Sequence, residues 1–356
     1  MESRLEKRLS RKAIFSWPLG DLVGLSSEEE VVMSRNTRKI DLTALLKDGI
    51  ILWVFSAMCV FLAFLSPSFI KPLNIVTVLK QSSMLGILAI GSTFVLISGG
   101  VDLSVGSILA VSGVCAAMLA QKNFSLPLII PILAAVIVGT GIGLMNGVGV
   151  AFGKITPFIM TLGFMISIRG LAFLITKGKP VFGLRDNFTN ISNGVVFRFG
   201  DVVVPSMVFY LIGVVIIMSV ILKLTVFGKW LNAVGGNEEA ARFSAISVNF
   251  IKAAVYTLNG LLAGLCGVLM ASRLNSGDAT VAQNFALDAI AASVIGGVSL
   301  AGGVGSIWKT IVGALIIGVM QNGLQILGVS PFIQTIVQGL IIIAAVFFDM
   351  RGRAKQ

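Results

Sequence analysis

The chain has 356 residues, of which 56% are hydrophobic and only 12% are charged, with a formal net charge of +11. An average soluble domain carries roughly 25% charged residues, so this composition excludes an ordinary soluble protein and predicts one membrane domain. The chain contains no histidine, which excludes a histidine-based catalytic dyad and a histidine-ligated metal.

Ten apolar runs follow one another along the chain, and a bilayer-crossing helix needs about 20 mostly apolar residues. The runs lie near 50–65, 83–98, 103–120, 127–151, 157–176, 203–222, 251–271, 286–301, 306–326 and 331–348. We therefore predict an all-α fold, a polytopic membrane bundle of about ten transmembrane helices. The predicted divisions are a polar tail at 1–48, a transmembrane domain at 49–350 and a short tail at 351–356.

Basic residues between the runs predict the orientation, because short cytoplasmic loops are rich in lysine and arginine. An even number of helices places both termini on one side, and both tails are basic, so we expect both termini in the cytoplasm. The connection at 223–252 is then cytoplasmic and is also basic. The connection at 177–202 is expected outside although it too carries lysine and arginine, and long exported segments obey the rule less strictly. Topology thus explains the positive charge, and we expect no nucleic-acid partner.

The segment GGVDLSVGSI at 99–108 interrupts the apolar pattern between the second and third runs. Asp102 fits two roles there. It is placed to accept hydrogen bonds from free backbone N–H groups at a helix start, as is Ser104, or to contact a substrate and gate its path. Asp288, at the start of the eighth run, fits the capping role.

Glycines recur at every fourth position in the fourth run, at Gly139, Gly143 and Gly147, and Gly260 and Gly264 repeat the spacing in the seventh. This spacing lets helices approach closely, so we interpret it as packing and not as ligand contact.

Arg169 lies about seven residues from the end of the fifth run, roughly 10 Å in depth. Its side chain is expected either to extend outward to the membrane surface or to pair with a carboxylate inside the bundle.

The segment GVGVAFGKIT at 147–156 is similar to a phosphate-binding loop, but its glycine spacing is one residue too long and Lys154 is followed by Ile155. It also ends a membrane helix instead of following a strand. The three cysteines each lie in an apolar run and behave as small hydrophobic residues. We therefore predict no ATPase site, no catalytic set, no metal and no cofactor.

The segment GGNEEAARFSAI at 235–246 lies in the expected cytoplasmic connection. It predicts a short helix with Asn237 as N-cap, with Glu238 and Glu239 complementing the helix dipole and with Ala240 and Ala241 forming a small face. Such a helix fits two roles, transmission of motion from a cytoplasmic motor or a plain solvated surface helix.

Four segments together are similar to one family, the permease subunits of ribose-type ABC sugar importers, within the superfamily that includes branched-chain amino acid permeases. They are GGVDLSVGSI at 99–108, TPFIMTLGFMISIRGLAFLITKGKP at 156–180, GGNEEAARFSAI at 235–246 and LDAIAASVIGGVSLAGGVGSI at 287–307. The similarity covers roughly 50–349 in order. One departure is Ala245, where many members of the family have glycine before isoleucine.

The resemblance implies a multi-pass permease of the bacterial inner membrane that imports a pentose, hexose or related polyol. It implies partners: ABC ATPase subunits, a periplasmic sugar-binding protein and a second permease copy, identical or paralogous. It also implies that the short loop helix couples to the ATPase, which assigns that role to Gly236, Asn237, Glu238, Glu239, Ala240, Ala241 and Arg242.

Polar residues within the apolar runs are the candidates for the translocation path, although hydrogen bonding between helices is the favoured explanation for each of them. They are Ser98, Asp102, Asn146, Thr161, Asn322 and Gln325. Two alternatives stay open on the sequence, an ABC permease for a non-sugar molecule and an ion-coupled secondary transporter. The second usually places carboxylates at mid-membrane depth.

Overall fold

The computed structural model describes residues 42–199 and 202–353. These ranges form thirteen helices and one antiparallel pair of strands. The elements are α1 (Leu42–Leu65), α2 (Pro72–Ile97), α3 (Val105–Leu119), α4 (Ile129–Ala151), α5 (Pro157–Thr176), α6 (Asp186–Asn193), β1 (Val195–Phe199), β2 (Val202–Pro205), α7 (Ser206–Leu224), α8 (Val226–Gly236), α9 (Glu238–Phe243), α10 (Val248–Leu274), α11 (Phe285–Ile295), α12 (Ile307–Ile326) and α13 (Pro331–Arg353). Of the predicted tails at 1–48 and 351–356, residues 1–41 and 354–356 lie outside the described residues, whereas 42–48 belong to α1 and 351–353 to α13.

Each apolar run of the sequence forms one helix, and the mostly helical membrane bundle is confirmed. Within the described residues, six helices are long and apolar enough to cross a membrane, namely α2, α4, α5, α7, α10 and α12. Shorter apolar stretches form α3, α11 and parts of α1 and α13. Proline begins α2, α5 and α13, where its missing N–H costs no helical hydrogen bond.

The centre of the bundle is α10, which packs against α4, α3 and α2. Its contact with α4 depends on the repeated glycines. A Cβ at Gly143 would lie 2.9 Å from the Gly260 Cα, and a Cβ at Gly139 would lie 2.7 Å from the Gly264 Cα. The backbones therefore touch, and the predicted packing role of these glycines is confirmed.

The loops assemble at two opposite ends of the helices. At one end, the Gly303 N–H donates to the Ile97 carbonyl at 2.8 Å, and Gly235 packs on the same carbonyl. We call this end, with the connections after α2, α4, α7 and α11, the α9 end. At the opposite end, isolated bridges pair Gln121 with Leu184 and Val181 with Gly277.

The connection from α5 to α7 lies at the opposite end and has structure that the apolar runs did not predict. It contains α6 and the hairpin of β1 and β2, in which Phe197 pairs with Val204 and Arg198 pairs with Val203. Ser192 of α6 donates its hydroxyl to the Leu269 carbonyl at 2.7 Å. This short helix is therefore tied to α10.

Candidate functional site

The predicted short helix is present as α9, and the predicted N-cap is confirmed. The Asn237 side chain accepts a hydrogen bond from the Ala240 N–H at 2.9 Å, which satisfies one of the free donors of the first turn. The helix ends where Ala245 turns into the left-handed region at φ 60°. The Ile246 N–H then donates back to the Ala241 carbonyl at 3.1 Å.

Glu238 fixes α9 to α10. Its carboxylate pairs with Arg242 one turn later at 2.8 Å and with Lys252 of α10 at 2.5 Å. The hydrogen bond from Lys252 is the main reason why the pKa of Glu238 lies below its ordinary value, and the Arg242 bond lowers it further against the effect of partial burial. The carboxylate therefore stays ionised at neutral pH and holds the two helices together.

The two sides of α9 differ in exposure. Ala241 is buried against the bundle, whereas Glu239 and Ala240 are exposed, and Phe243 is 92% exposed. The predicted small face is therefore divided: Ala241 permits close contact with the bundle, and Ala240 lies on the outer surface. We call Glu239, Ala240 and Phe243 the outer face of α9.

Backbone contact joins the end of α8, directly before α9, to the ends of other helices. Gly235 lies in the last turn of α8, so close to the Ile97 carbonyl that a side chain would collide with it. A Cβ at Gly235 would also lie 2.5 Å from the Gly303 nitrogen. We call Gly235, Ile97 and Gly303 the three-loop joint. A cavity of about 370 Å³ lies beside it, lined by Ser98, Lys154, Glu238, Lys252 and Tyr256 among others.

Asp102 is 2% exposed and accepts three hydrogen bonds inside the bundle. Its Oδ1 accepts from the Ser104 N–H at 2.8 Å and from the Ser104 hydroxyl at 2.6 Å, and its Oδ2 accepts from Asn259 of α10 at 2.9 Å. Asn146 of α4 donates to the Ser104 oxygen at 2.8 Å. The expected bond to a free N–H is present, but Ser104 occupies the N-cap of α3 without capping it. Asp102 therefore ties the α2–α3 connection to α10.

The expectation that Asp288 caps a helix is wrong. The N-cap of α11 is Asn284, and no side chain caps it. Asp288 is buried and accepts hydrogen bonds from Gln338 of α13 and from Gln321 of α12, the latter at 3.4 Å. Because both amides come from other helices, the carboxyl group joins three helices inside the bundle.

Arg169 extends into the bundle and not outward to the membrane surface. Its Nη1 donates to the backbone carbonyls of Ala279 and Val281, at 2.6 and 2.7 Å. These residues belong to the connection between α10 and α11, which also carries Asp278, the carboxylate whose charge acts on Arg169 without a direct ion pair among the described residues. The guanidinium group therefore binds irregular backbone beside α5.

The comparisons with known proteins agree with this architecture. A family model described as the permease component of the branched-chain amino acid transport system matches residues 74–346. The chain belongs to this family.

The permease also has curated relatives over most of its length. It is 41% identical over 300 residues to the ribose import permease protein RbsC of Bacillus subtilis, covering 83% of this chain and 91% of the relative. It is 42% identical over 290 residues to RbsC of Escherichia coli, covering 80% and 88%. The L-arabinose ABC transporter permease protein AraH of Azospirillum brasilense is 37% identical over 310 residues, covering 87% and 89%. No solved structure matches the permease significantly.

Of the predicted path residues of the permease, Asp102, Asn146 and Thr161 gather at the α2–α3 connection, where Thr161 donates to the Val101 carbonyl at 3.4 Å. Thr161 is buried and also donates to the Pro157 carbonyl at 2.9 Å. The others lie outside this group. Ser98 borders the cavity beside α9. Asn322 exchanges two amide hydrogen bonds with Asn74 of α2, at 2.8 and 3.0 Å, whereas Gln325 is exposed.

Two important partners in the permease were not singled out from the sequence. Asn259 is completely buried and donates to Asp102, and Lys252 binds Glu238. A polar residue in the middle of the seventh apolar run is a signal that could have identified Asn259. Lys252 is the last residue of the basic connection at 223–252. Its partner Glu238 is fourteen positions away in sequence, so the local pattern does not reveal the ion pair.

Proposed function

We propose that this permease is the membrane subunit of a bacterial ABC importer and translocates a sugar, a pentose, hexose or related polyol. The observation that carries the proposal is α9, a short helix with an outer face, fixed to the bundle by Glu238 and by the three-loop joint. Relatives named for ribose and L-arabinose transport support sugar as the cargo.

The proposed topology has about ten membrane spans with both termini in the cytoplasm. The tails at 1–48 and 351–356 flank the permease domain at 49–350, and the coupling loop at 223–252 is cytoplasmic. The gathering of alternate loops at opposite ends of the bundle supports this arrangement. The lysines and arginine beside α9 favour a position of that end on the cytoplasmic side of the inner membrane.

The proposed partners follow from these two ends. ATPase subunits bind the outer face of α9, and a periplasmic sugar-binding protein delivers the cargo at the opposite end. A second permease copy, identical or paralogous, completes the membrane part within the bilayer. This chain performs no chemistry: ATP binding on the partner subunits drives alternating access, and the binding protein sets most of the selectivity.

Substituting Glu239→Arg tests the coupling role, since Glu239 is exposed on the outer face of α9. We expect sugar uptake to be lost, because a reversed charge disrupts a charged contact and an arginine adds bulk at the interface. The permease should remain in the membrane and no longer retain the ATPase subunits on purification. Glu239→Gln is the matched control, which keeps the size of the side chain and should retain most uptake.

Normal uptake by Glu239→Arg would contradict the docking role of α9.

The energy source is tested separately in cells. Uptake that survives ATP depletion but collapses with the ion gradient would contradict the ABC assignment and favour an ion-coupled transporter.

A further inference from the structure

The connection between α10 and α11 enters the bundle instead of passing over its surface. We call residues 275–284 the re-entrant segment. It begins at Asn275, which ends α10 in the left-handed conformation at φ 52°. Gly277 then lies beside α3 near its end, where a Cβ would be 3.1 Å from the Val114 Cα and would also touch Ala117. Ala282 lies beside the start of α3, since its carbonyl contacts Gly106.

The length of α3 between these contacts gives the depth that the segment reaches. Ala117 and Gly106 are separated by eleven residues of helix, roughly 16 Å at a rise of 1.5 Å per residue. The segment follows α3 between these contacts with a turn at 279–282. It therefore reaches about half of the roughly 30 Å hydrocarbon thickness.

Arg169 explains how non-helical backbone is accommodated at this depth. Backbone carbonyls inside a membrane need internal partners, and Arg169 binds those of Ala279 and Val281. Nearer the end of the bundle, Gly277 exchanges backbone hydrogen bonds with Val181 at 2.8 and 2.9 Å. The segment is thus held in place by groups outside itself.

The side chains of the re-entrant segment divide by polarity. Ala279 and Ala282 are buried, whereas Thr280, Gln283 and Asn284 are exposed. The Thr280 N–H and hydroxyl both donate to the half-buried Asp278 at 2.8 Å. Exposed amides and hydroxyls are costly in hydrocarbon, so this row of side chains is better suited to water than to lipid.

We propose that Asp278, Thr280, Gln283 and Asn284 form a sugar-contacting strip on the translocation path. The inference rests on the proposed function, because it assigns the strip to the cargo of that transport. Amide and hydroxyl groups offer donors and acceptors of moderate strength, which suits a neutral polyhydroxylated solute that must bind briefly and leave. Gly163 and Gly170 are exposed on α5, the helix that carries Arg169. A Cβ added at either glycine would meet no atom within 4 Å, so this side of α5 borders open space.

Water access to the strip is measured with single cysteines in the full-length permease in membrane vesicles. The three native cysteines are first replaced, and Thr280→Cys, Gln283→Cys and Asn284→Cys are then treated with a charged, membrane-impermeant thiosulfonate. We expect all three thiols to react, because the reagent reaches water-filled space and not hydrocarbon. Ile137→Cys is the matched control on α4, where Ile137 is 66% exposed and is expected to face lipid and not react.

A lack of reaction at all three strip positions, in vesicles of either orientation, would overturn the proposal. This outcome is independent of transport. If the wild-type permease with its partners imported no sugar while the strip thiols reacted, the proposed function would fail and the water-lined strip would stand.

Contact with the sugar is measured by uptake in the assembled transporter. Thr280→Val and Gln283→Leu should each lower uptake roughly tenfold, while ATPase activity stimulated by the loaded binding protein stays near the wild-type value. Thr140→Val is the matched control, because the Thr140 hydroxyl donates only within α4, to the Val136 carbonyl at 2.7 Å. Unchanged uptake in both strip variants would overturn the assignment of these residues to the cargo.

Discussion

The left-handed backbone at Ala245 is a small, local strain directly after α9. At φ 60° a Cβ crowds its own backbone, which costs roughly 1 kcal/mol relative to glycine. Glycine is the residue expected there from the family resemblance, and the geometry gives the physical reason. Alanine is tolerated because the Ile246 hydrogen bond and the packing of Ala241 hold the turn.

Ala245→Gly should therefore stabilise the turn after α9 by about 1 kcal/mol. The measurement is amide hydrogen exchange at Ile246, which should slow. Ala233→Gly, in the helical interior of α8, is the matched control and should be destabilising by a similar amount because glycine loses more backbone freedom. The same sign of change at both positions would contradict the explanation.

The link between α9 and α10 should depend on pH through Glu238. Its pKa lies below the ordinary value of 4.5 because Lys252 and Arg242 bind the carboxylate. A lowered carboxyl pKa contributes stability that is complete above the ordinary value and is lost as the pH falls through the lowered value. Hydrogen exchange of the α9 amides, corrected for intrinsic rates, should therefore stay slow at pH 5 and accelerate only below pH 4.5.

Lys252→Met should move this transition to higher pH, because it removes the largest cause of the pKa shift. Lys229→Met, on α8 and outside the described ion pairs, is the matched control and should leave the transition in place. A transition at the same pH in the wild-type and Lys252→Met proteins would show that the ion pair does not hold α9.

The close contact of α4 and α10 predicts an uneven tolerance of alanine along α4. Gly143→Ala should separate the helices and destabilise the bundle by roughly 1–3 kcal/mol, because its Cβ would lie within 3 Å of the Gly260 backbone. Gly141→Ala is the matched control, since its Cβ would meet nothing within 4 Å. Thermal unfolding in detergent should separate the two variants, and equal midpoints would exclude the backbone contact as a source of stability.

The helices were predictable from the sequence because an apolar run in a membrane must pair its backbone groups within itself, which a helix does. Elements of mixed polarity were not: α6, α8 and the β1–β2 hairpin lie in connections, where apolar periodicity is weak. The path of the re-entrant segment depends on Arg169, more than 100 positions away in sequence. Local propensity contains no information about that contact.

The parts of the site that depend on local contacts were predictable from the sequence, whereas those that depend on contacts between helices were not. Asn237 was recognised as a cap because capping acts within one turn. The roles of Asp102 and Asp288 were misjudged in part because their partners lie on other helices, such as Asn259 on α10 and Gln338 on α13. A polar residue inside an apolar run marks a contact but does not identify the partner.

The isolated permease should neither hydrolyse ATP nor accumulate sugar. The expectation follows from its assignment as one subunit of an importer, together with the absence of a complete phosphate-binding motif in the sequence. The measurement is phosphate release and labelled-sugar content in vesicles that contain only this chain. Addition of the ATPase subunits and the loaded binding protein should restore both activities, and activity without them, shown free of contaminants, would contradict the assignment.

The three-loop joint has a mechanical consequence for the bundle. Gly235, the Ile97 carbonyl and Gly303 meet backbone to backbone, so no flexible side chain is present between them to absorb a displacement. A displacement of α9 is therefore transmitted directly to the end of α2 and to the loop before α12. Any larger residue at position 235 would collide with the Ile97 carbonyl and push these three backbones apart, while leaving the outer face of α9 unchanged.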